Sequence, residues 1–209
     1  MIKETQNKET QAAFTPNAVQ NDLMEGNARF VNAQMNSRDY TAQRSQVVGG
    51  QFPKAVVLSC IDSRVPVETI FDQGIGDIFV ARVAGNFENG DILGSMEYSC
   101  KVAGSKVVFI LGHESCGAVK AACDGVELGN ITGMLENILP AVKLSSETVE
   151  GEASSKNSEF VATTIENNVK LTMDRIREKS SILKEMEDAG DISIVGGVYN
   201  LHSGKVEML

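Results

Sequence analysis

The sequence predicts an α/β fold built on a mostly parallel sheet, and three observations carry that expectation. Short apolar runs rich in β-branched residues recur along the first half of the chain: Ala55-Val56-Val57-Leu58-Ser59-Cys60, Ile78-Phe79-Val80-Ala81 and Lys106-Val107-Val108-Phe109-Ile110-Leu111. None alternates with period two, as expected of strands covered on both faces. Helical patterns separate them, so strand, helix and strand follow one another as in a parallel sheet.

Taken in order, the residues to about Pro16 are polar and read as a flexible N-terminal arm, followed by a single domain over 17–209. Val19, Leu23, Phe30 and Val31 then recur at helical spacing, which predicts one long helix to about Met35. Further helices are expected near Pro66 and from Asp91 to about Val102. Ile131, Met134, Leu135, Ile138, Leu139 and Val142 share one helical face, and Val161, Ile165, Val169, Met173 and Ile176 share another. Both are expected to pack on the sheet, with the Ser/Glu-rich stretch 145–159 as an exposed connection. Ile192-Ser193-Ile194-Val195 suggests a late strand, and residues 199–206 a terminal hairpin.

Composition narrows the chemistry. The 209 residues are 42% hydrophobic and 22% charged, as in a chain with a real core, and the net charge is −9. Lys and Arg are scattered singly, so nucleic acid is not an expected partner. No apolar stretch approaches the roughly 20 residues of a membrane span, and the first twelve residues are too polar for a signal-peptide core. The chain as given therefore reads as cytoplasmic. With two histidines, four cysteines and no Cys-x-x-Cys, free thiols or metal thiolates are expected in place of a disulfide framework.

Cys60 stands at the carboxyl end of the first strand, and His113 and Cys116 just beyond the carboxyl end of the third, where open α/β sheets bind ligands. Two thiolates and an imidazole are the soft and borderline donors that select zinc. Three protein ligands leave a fourth tetrahedral position free, the mark of a catalytic zinc. Asp62 and Arg64 follow in Cys60-Ile61-Asp62-Ser63-Arg64, and the arginine should hold the carboxylate ionised and oriented. Such a carboxylate can accept a hydrogen bond from a zinc-bound hydroxide, or swing onto the metal and close the site as a structural Cys-His-Cys-Asp centre. Cys100 and Cys123 read as small buried hydrophobes and His202 as a solvated hairpin residue. Gly74-Ile75-Gly76 lacks the third glycine of a dinucleotide fingerprint and precedes a strand.

Cys60-x-Asp62-Ser63-Arg64 together with His113-x-x-Cys116-Gly117 resembles the β-class carbonic anhydrases. The likeness extends from Glu25-Gly26-Asn27-Ala28-Arg29-Phe30, through Phe79-Val80-Ala81-Arg82 and Gly85-Asn86, to Val195-Gly196-Gly197-Val198-Tyr199. It implies a four-stranded parallel sheet extended by a further strand. It also implies a homodimer or dimer of dimers with active sites at the subunit interface, and reversible hydration of carbon dioxide to bicarbonate. Cys60, His113 and Cys116 are then the ligands of one Zn²⁺ per subunit, with Asp62 and Arg64 as the catalytic dyad. Gln51, in Gly50-Gln51-Phe52-Pro53-Lys54, matches a glutamine that hydrogen-bonds substrate in the plant-like subgroup. Phe79, Tyr98 and the amide of Gly117 match further substrate-facing positions.

The other subgroup holds a regulatory bicarbonate beside a tryptophan three residues before the first cysteine ligand. Val57 occupies that position and the chain has no tryptophan, so the open, plant-like arrangement is expected. Two rivals stay open at this level: relatives on the same scaffold hydrolyse carbon disulfide or carbonyl sulfide, and a structural zinc would make the protein a binding module.

Overall fold

The computed structural model describes all 209 residues. Five strands form one sheet: β1 (Ala55–Ser59), β2 (Ile78–Arg82), β3 (Val107–His113), β4 (Ser193–Tyr199) and β5 (Val206–Met208). Their order is β2-β1-β3-β4-β5. The first four are parallel and β5 is antiparallel to β4, so the parallel sheet with one added C-terminal strand is borne out. Every residue of β1 and β3 is buried, which explains why their sequences do not alternate.

Ten α-helices surround the sheet: α1 (Lys8–Ala12), α2 (Pro16–Val31), α3 (Tyr40–Gln46), α4 (Val67–Ile70), α5 (Gly90–Glu97), α6 (Gly117–Cys123), α7 (Gly129–Leu135), α8 (Leu139–Ser146), α9 (Ser158–Lys179) and α10 (Ser181–Asp188). A π-helical turn, Tyr98–Val102, prolongs α5. On one face of the sheet Val57, Phe109 and Leu111 pack with Val19 and Leu23 of α2 and with Ile70 and Phe71. On the other, Val56, Leu58, Val108 and Ile110 pack with Val169 and Ile176 of α9. The chain leaves β1 toward β2 on one side and returns across it to β3 on the other. That reversal makes the carboxyl ends of β1 and β3 the switch point of the sheet, where this sheet class places its sites.

Helix α2 starts at Thr15, whose hydroxyl accepts from the Ala18 amide, with Pro16 in the first turn. It ends at Val31, short of the expected Met35, because Ala33 turns left-handed at φ 54°. Gly26 is required by close approach: a Cβ there would lie 1.9 Å from the Phe71 carbonyl oxygen. The Asn27 amide donates to the carbonyls of Ile70 and Gly204, and its oxygen accepts from Val206 N–H. Thus α2 is tied both to the end of α4 and to the terminal hairpin.

The segment expected as a flexible arm lies against the chain's own body. Gln11 is buried, donating to the carbonyls of Pro53 and Ala103, and Gln43 donates to the Glu4 carbonyl. The 131–142 stripe is not one helix on the sheet: it breaks between Leu135 and Leu139 into α7 and α8, which pack against α6 and α9. Pro140 sets the second start, and Leu135, Ile138 and Ala141 bury while Ile131 and Leu139 stay exposed. The 161–176 stripe does pack on the sheet, against β3 and β4.

Candidate metal centre

Cys60 is the residue after β1 and His113 the last of β3, so strand pairing brings together two residues far apart in the chain. Beyond His113 the backbone turns sharply at Ser115, φ 53°, and presents Cys116 as the residue that precedes α6. The two sulfurs and one imidazole nitrogen lie within 4.8 Å of one another, and all three residues are buried. The sulfurs are 4.0 Å apart. Two thiolates at Zn–S distances of 2.3 Å on a tetrahedral ion would stand about 3.8 Å apart.

His113 is fully buried, with Nδ1 2.8 Å from the Glu114 carbonyl oxygen. That carbonyl can only accept, so Nδ1 carries the proton and Nε2 presents its lone pair. Nε2 has no hydrogen-bond partner, a costly state for a buried nitrogen unless a ligand takes the lone pair. The donor set and the orphaned nitrogen fit zinc.

The Cys60 thiol is held well below its usual range, chiefly by the hydrogen bond it shares with Cys116, with burial opposing and His113 and the Gly85 amide assisting. Cys116 is pushed up by that same hydrogen bond to Cys60 and by burial. Binding a divalent cation to the pair would release the thiol proton that they share.

Asp62 accepts from Arg64 at both oxygens, Nε to Oδ1 at 2.9 Å and Nη2 to Oδ2 at 2.7 Å, and from the Arg64 amide at 2.9 Å. This fork holds the Asp62 carboxyl well below the usual carboxylate range against the opposing effect of burial. Its Oδ2 is 3.9 Å from His113 Nε2, beside the donor trio but committed to arginine.

Residues outside the expected set hold this arrangement. Arg82, at the end of β2, donates to the carbonyls of Cys60 and Asp62. The Gly85 amide points at Cys60 Sγ, 3.4 Å away, and Asn168 of α9 donates to the Gly85 carbonyl. Arg82 and Gly85 fall within the motifs of the resemblance, yet only strand pairing and the Val83–Asn86 turn reveal what they touch. Asn168 carried no local signal.

Gln51, Phe79 and Tyr98 are not gathered at the trio. Gln51 is exposed in the loop before β1, whereas Cys60 follows the strand's other end, and five residues at ~3.3 Å each separate the two. Phe79 and Tyr98 have ring centroids 6.3 Å apart and line an open groove with Val56, Ala81 and Gly94. Gly117 is exposed at the first position of α6, beside Cys116. Cys100 and Cys123 are buried, with Cys100 pushed up to about 12 by burial. His202 is exposed in the hairpin turn.

A family model described as carbonic anhydrase matches residues 55–206. The carbonic anhydrase of Mycolicibacterium smegmatis is 36% identical over 195 residues, covering 92% of this chain and 93% of that protein. Carbonic anhydrase 2 of Mycobacterium tuberculosis is 36% identical over 196 residues, covering 91% of each. Among solved structures, the Coccomyxa β-carbonic anhydrase in complex with acetazolamide superposes with a TM-score of 0.71 at 25% identity, covering 79% of this chain and 75% of that one. A tetrameric β-carbonic anhydrase of Sordaria macrospora shares the fold, with a TM-score of 0.71 at 21% identity, covering 91% and 93%.

Proposed function

The chain belongs to the β-class carbonic anhydrases, zinc enzymes that interconvert carbon dioxide and bicarbonate, and on that premise we propose that Asp62 and Arg64 are its catalytic pair. Cys60, His113 and Cys116 would hold the metal, and the unpartnered Nε2 of His113 is the observation that carries this assignment. When bound, zinc supplies a Lewis acid that makes hydroxide available from water near neutral pH.

Asp62 has only to orient. Locked in the Arg64 fork, it accepts a hydrogen bond from the attacking oxygen and turns a lone pair toward the carbon of carbon dioxide. Because both carboxylate oxygens are engaged by arginine, the open arrangement is favoured over a closed Cys-His-Cys-Asp centre. Gly117, opening α6 beside Cys116, offers a backbone N–H to a substrate oxygen. His113 is buried as a ligand and the other histidine, His202, is exposed in the hairpin turn, so the released proton passes to solvent and buffer. Turnover should therefore depend on buffer concentration.

Gln51, Phe79 and Tyr98 would serve substrate in a second copy of the chain. The length of β1 keeps Gln51 from its own Cys60, and the Phe79–Tyr98 groove is open to the surface, which supports a homo-oligomer with sites shared across the interface. No helix is long and apolar enough to cross a membrane, and a cytoplasmic location is the reading consistent with the sequence. The test is stopped-flow carbon dioxide hydration by the purified protein with its zinc content measured. Stoichiometric zinc with hydration activity supports the proposal, and zinc without activity across neutral and alkaline pH refutes it.

A further inference from the structure

Glu114 sits between the two ligands on the β3 side, and its contacts reach beyond the turn that holds them. Its carbonyl oxygen takes the His113 Nδ1 proton at 2.8 Å, so the orientation of this one peptide sets the imidazole. Its amide donates to the Tyr199 carbonyl at 3.0 Å, continuing the β3–β4 ladder. Its carboxylate accepts from Asn200 Nδ2 at 2.8 Å and from the Leu201 amide at 3.1 Å. The following residue, Ser115, is in the left-handed region and offers its carbonyl to Arg64 at 3.4 Å.

Asn200 is itself fixed. Its side-chain oxygen accepts from the amides of His202 and Ser203, and its backbone is bonded to Lys205 and Gly204. Asn27 of α2 closes the far side of the same hairpin through Gly204 and Val206. Hydrogen bonds thus join α2 to the β4–β5 hairpin and the hairpin to the Glu114 carboxylate, and the covalent frame of Glu114 carries the link on to the carbonyl that holds the His113 ring.

We infer that Glu114 is a positioning residue for the metal centre: paired with Asn200, its carboxylate anchors the ligand turn to the hairpin and so fixes the direction of His113 Nε2. The inference rests on the zinc reading above. Groups that orient a metal-binding histidine from behind are typically worth 10–100-fold in metal affinity.

The Asn200–Glu114 pair allows a reciprocal test. Asn200→Asp keeps the oxygen that caps the hairpin but sets a second carboxylate against Glu114. Adding Glu114→Gln restores one amide facing one carboxylate with donor and acceptor exchanged. Zinc affinity is measured on the holoprotein by chelator competition, and ligand geometry by the visible absorption bands of the cobalt-substituted protein. Asn200→Asp is expected to weaken zinc binding about 10-fold or more and to shift the cobalt bands, with the double variant recovering both. Should Asn200→Asp not fold, Glu114→Ala carries the same expectation. Folded variants with wild-type zinc affinity and cobalt bands, or a loss the double variant does not recover, would overturn the role of Glu114 alone. A wild-type chain that binds no stoichiometric zinc would overturn this inference and the zinc reading together.

Discussion

Arg64 grips Asp62 through two side-chain hydrogen bonds, 2.9 Å to Oδ1 and 2.7 Å to Oδ2, and so keeps the carboxylate off the buried Cys60–His113–Cys116 trio beside it. Asp62→Asn should leave zinc stoichiometry unchanged and reduce carbon dioxide hydration by roughly 100-fold, since the oriented acceptor is lost. Arg64→Ala should also lower the rate, by freeing the carboxylate to approach the metal. Metal analysis beside stopped-flow kinetics checks both. Loss of zinc from Asp62→Asn would mean that the carboxylate is a ligand.

Metal removal should cost both activity and stability. Without the metal a buried imidazole nitrogen has no partner and two buried sulfurs face each other at 4.0 Å, so zinc would stabilise the folded chain over the unfolded one. At free zinc about 1,000-fold above Kd, the linkage contributes about 4 kcal/mol. Chelated protein should melt at a lower temperature and regain activity on adding Zn²⁺. An unchanged melting temperature would place the metal elsewhere.

Much of this was legible in the sequence because it is local. The buried strands β1 and β3 show as unbroken apolar runs, and Cys60-x-Asp62-x-Arg64 and His113-x-x-Cys116 each occupy a single turn. The second half of β4 was hidden by Gly196 and Gly197, poor strand formers whose small size is needed here. A Cβ at Gly196 would lie 2.5 Å from Val169 Cγ1 of α9. Arg82, Asn168 and Glu114 matter through partners set by strand pairing and helix packing, which no window of sequence displays. The split of α7 from α8 was masked because the apolar spacing continues across the break.

Gly85 offers a sharper backbone test. It lies at φ +85°, and an added Cβ would stand 2.5 Å from Ile138 Cδ1. Gly85→Ala should destabilise the fold by about 1–3 kcal/mol. It should also weaken zinc binding, because the displaced amide is the one aimed at Cys60 Sγ. Gly133, within α7 and with open space around it, is the contrast: Gly133→Ala should stabilise by about 0.5–1 kcal/mol. Urea unfolding of the two variants separates steric conflict from helix propensity.

The ion pair behind α2 makes a pH prediction. Asp72 is buried and receives Arg29 Nε at 2.6 Å, the Arg38 guanidinium, and the Asn36 backbone and side-chain amides. Burial works to raise its carboxyl, but the hydrogen bonds from Arg29, Arg38 and Asn36 outweigh it and the group is lowered. A carboxyl with a depressed folded value binds fewer protons folded than unfolded, so its stabilisation is complete above the unfolded value of ~3.9. That stabilisation is lost as the pH falls through the folded value. Asp72→Asn, which leaves two guanidinium groups uncompensated, should cost about 3 kcal/mol at neutral pH. The gap from wild type should stay constant from about pH 8 to about pH 5 and narrow in stronger acid. Denaturant titrations across that range check the sign: a gap that widens on acidification would mean that Asp72 titrates above its unfolded value in the folded chain.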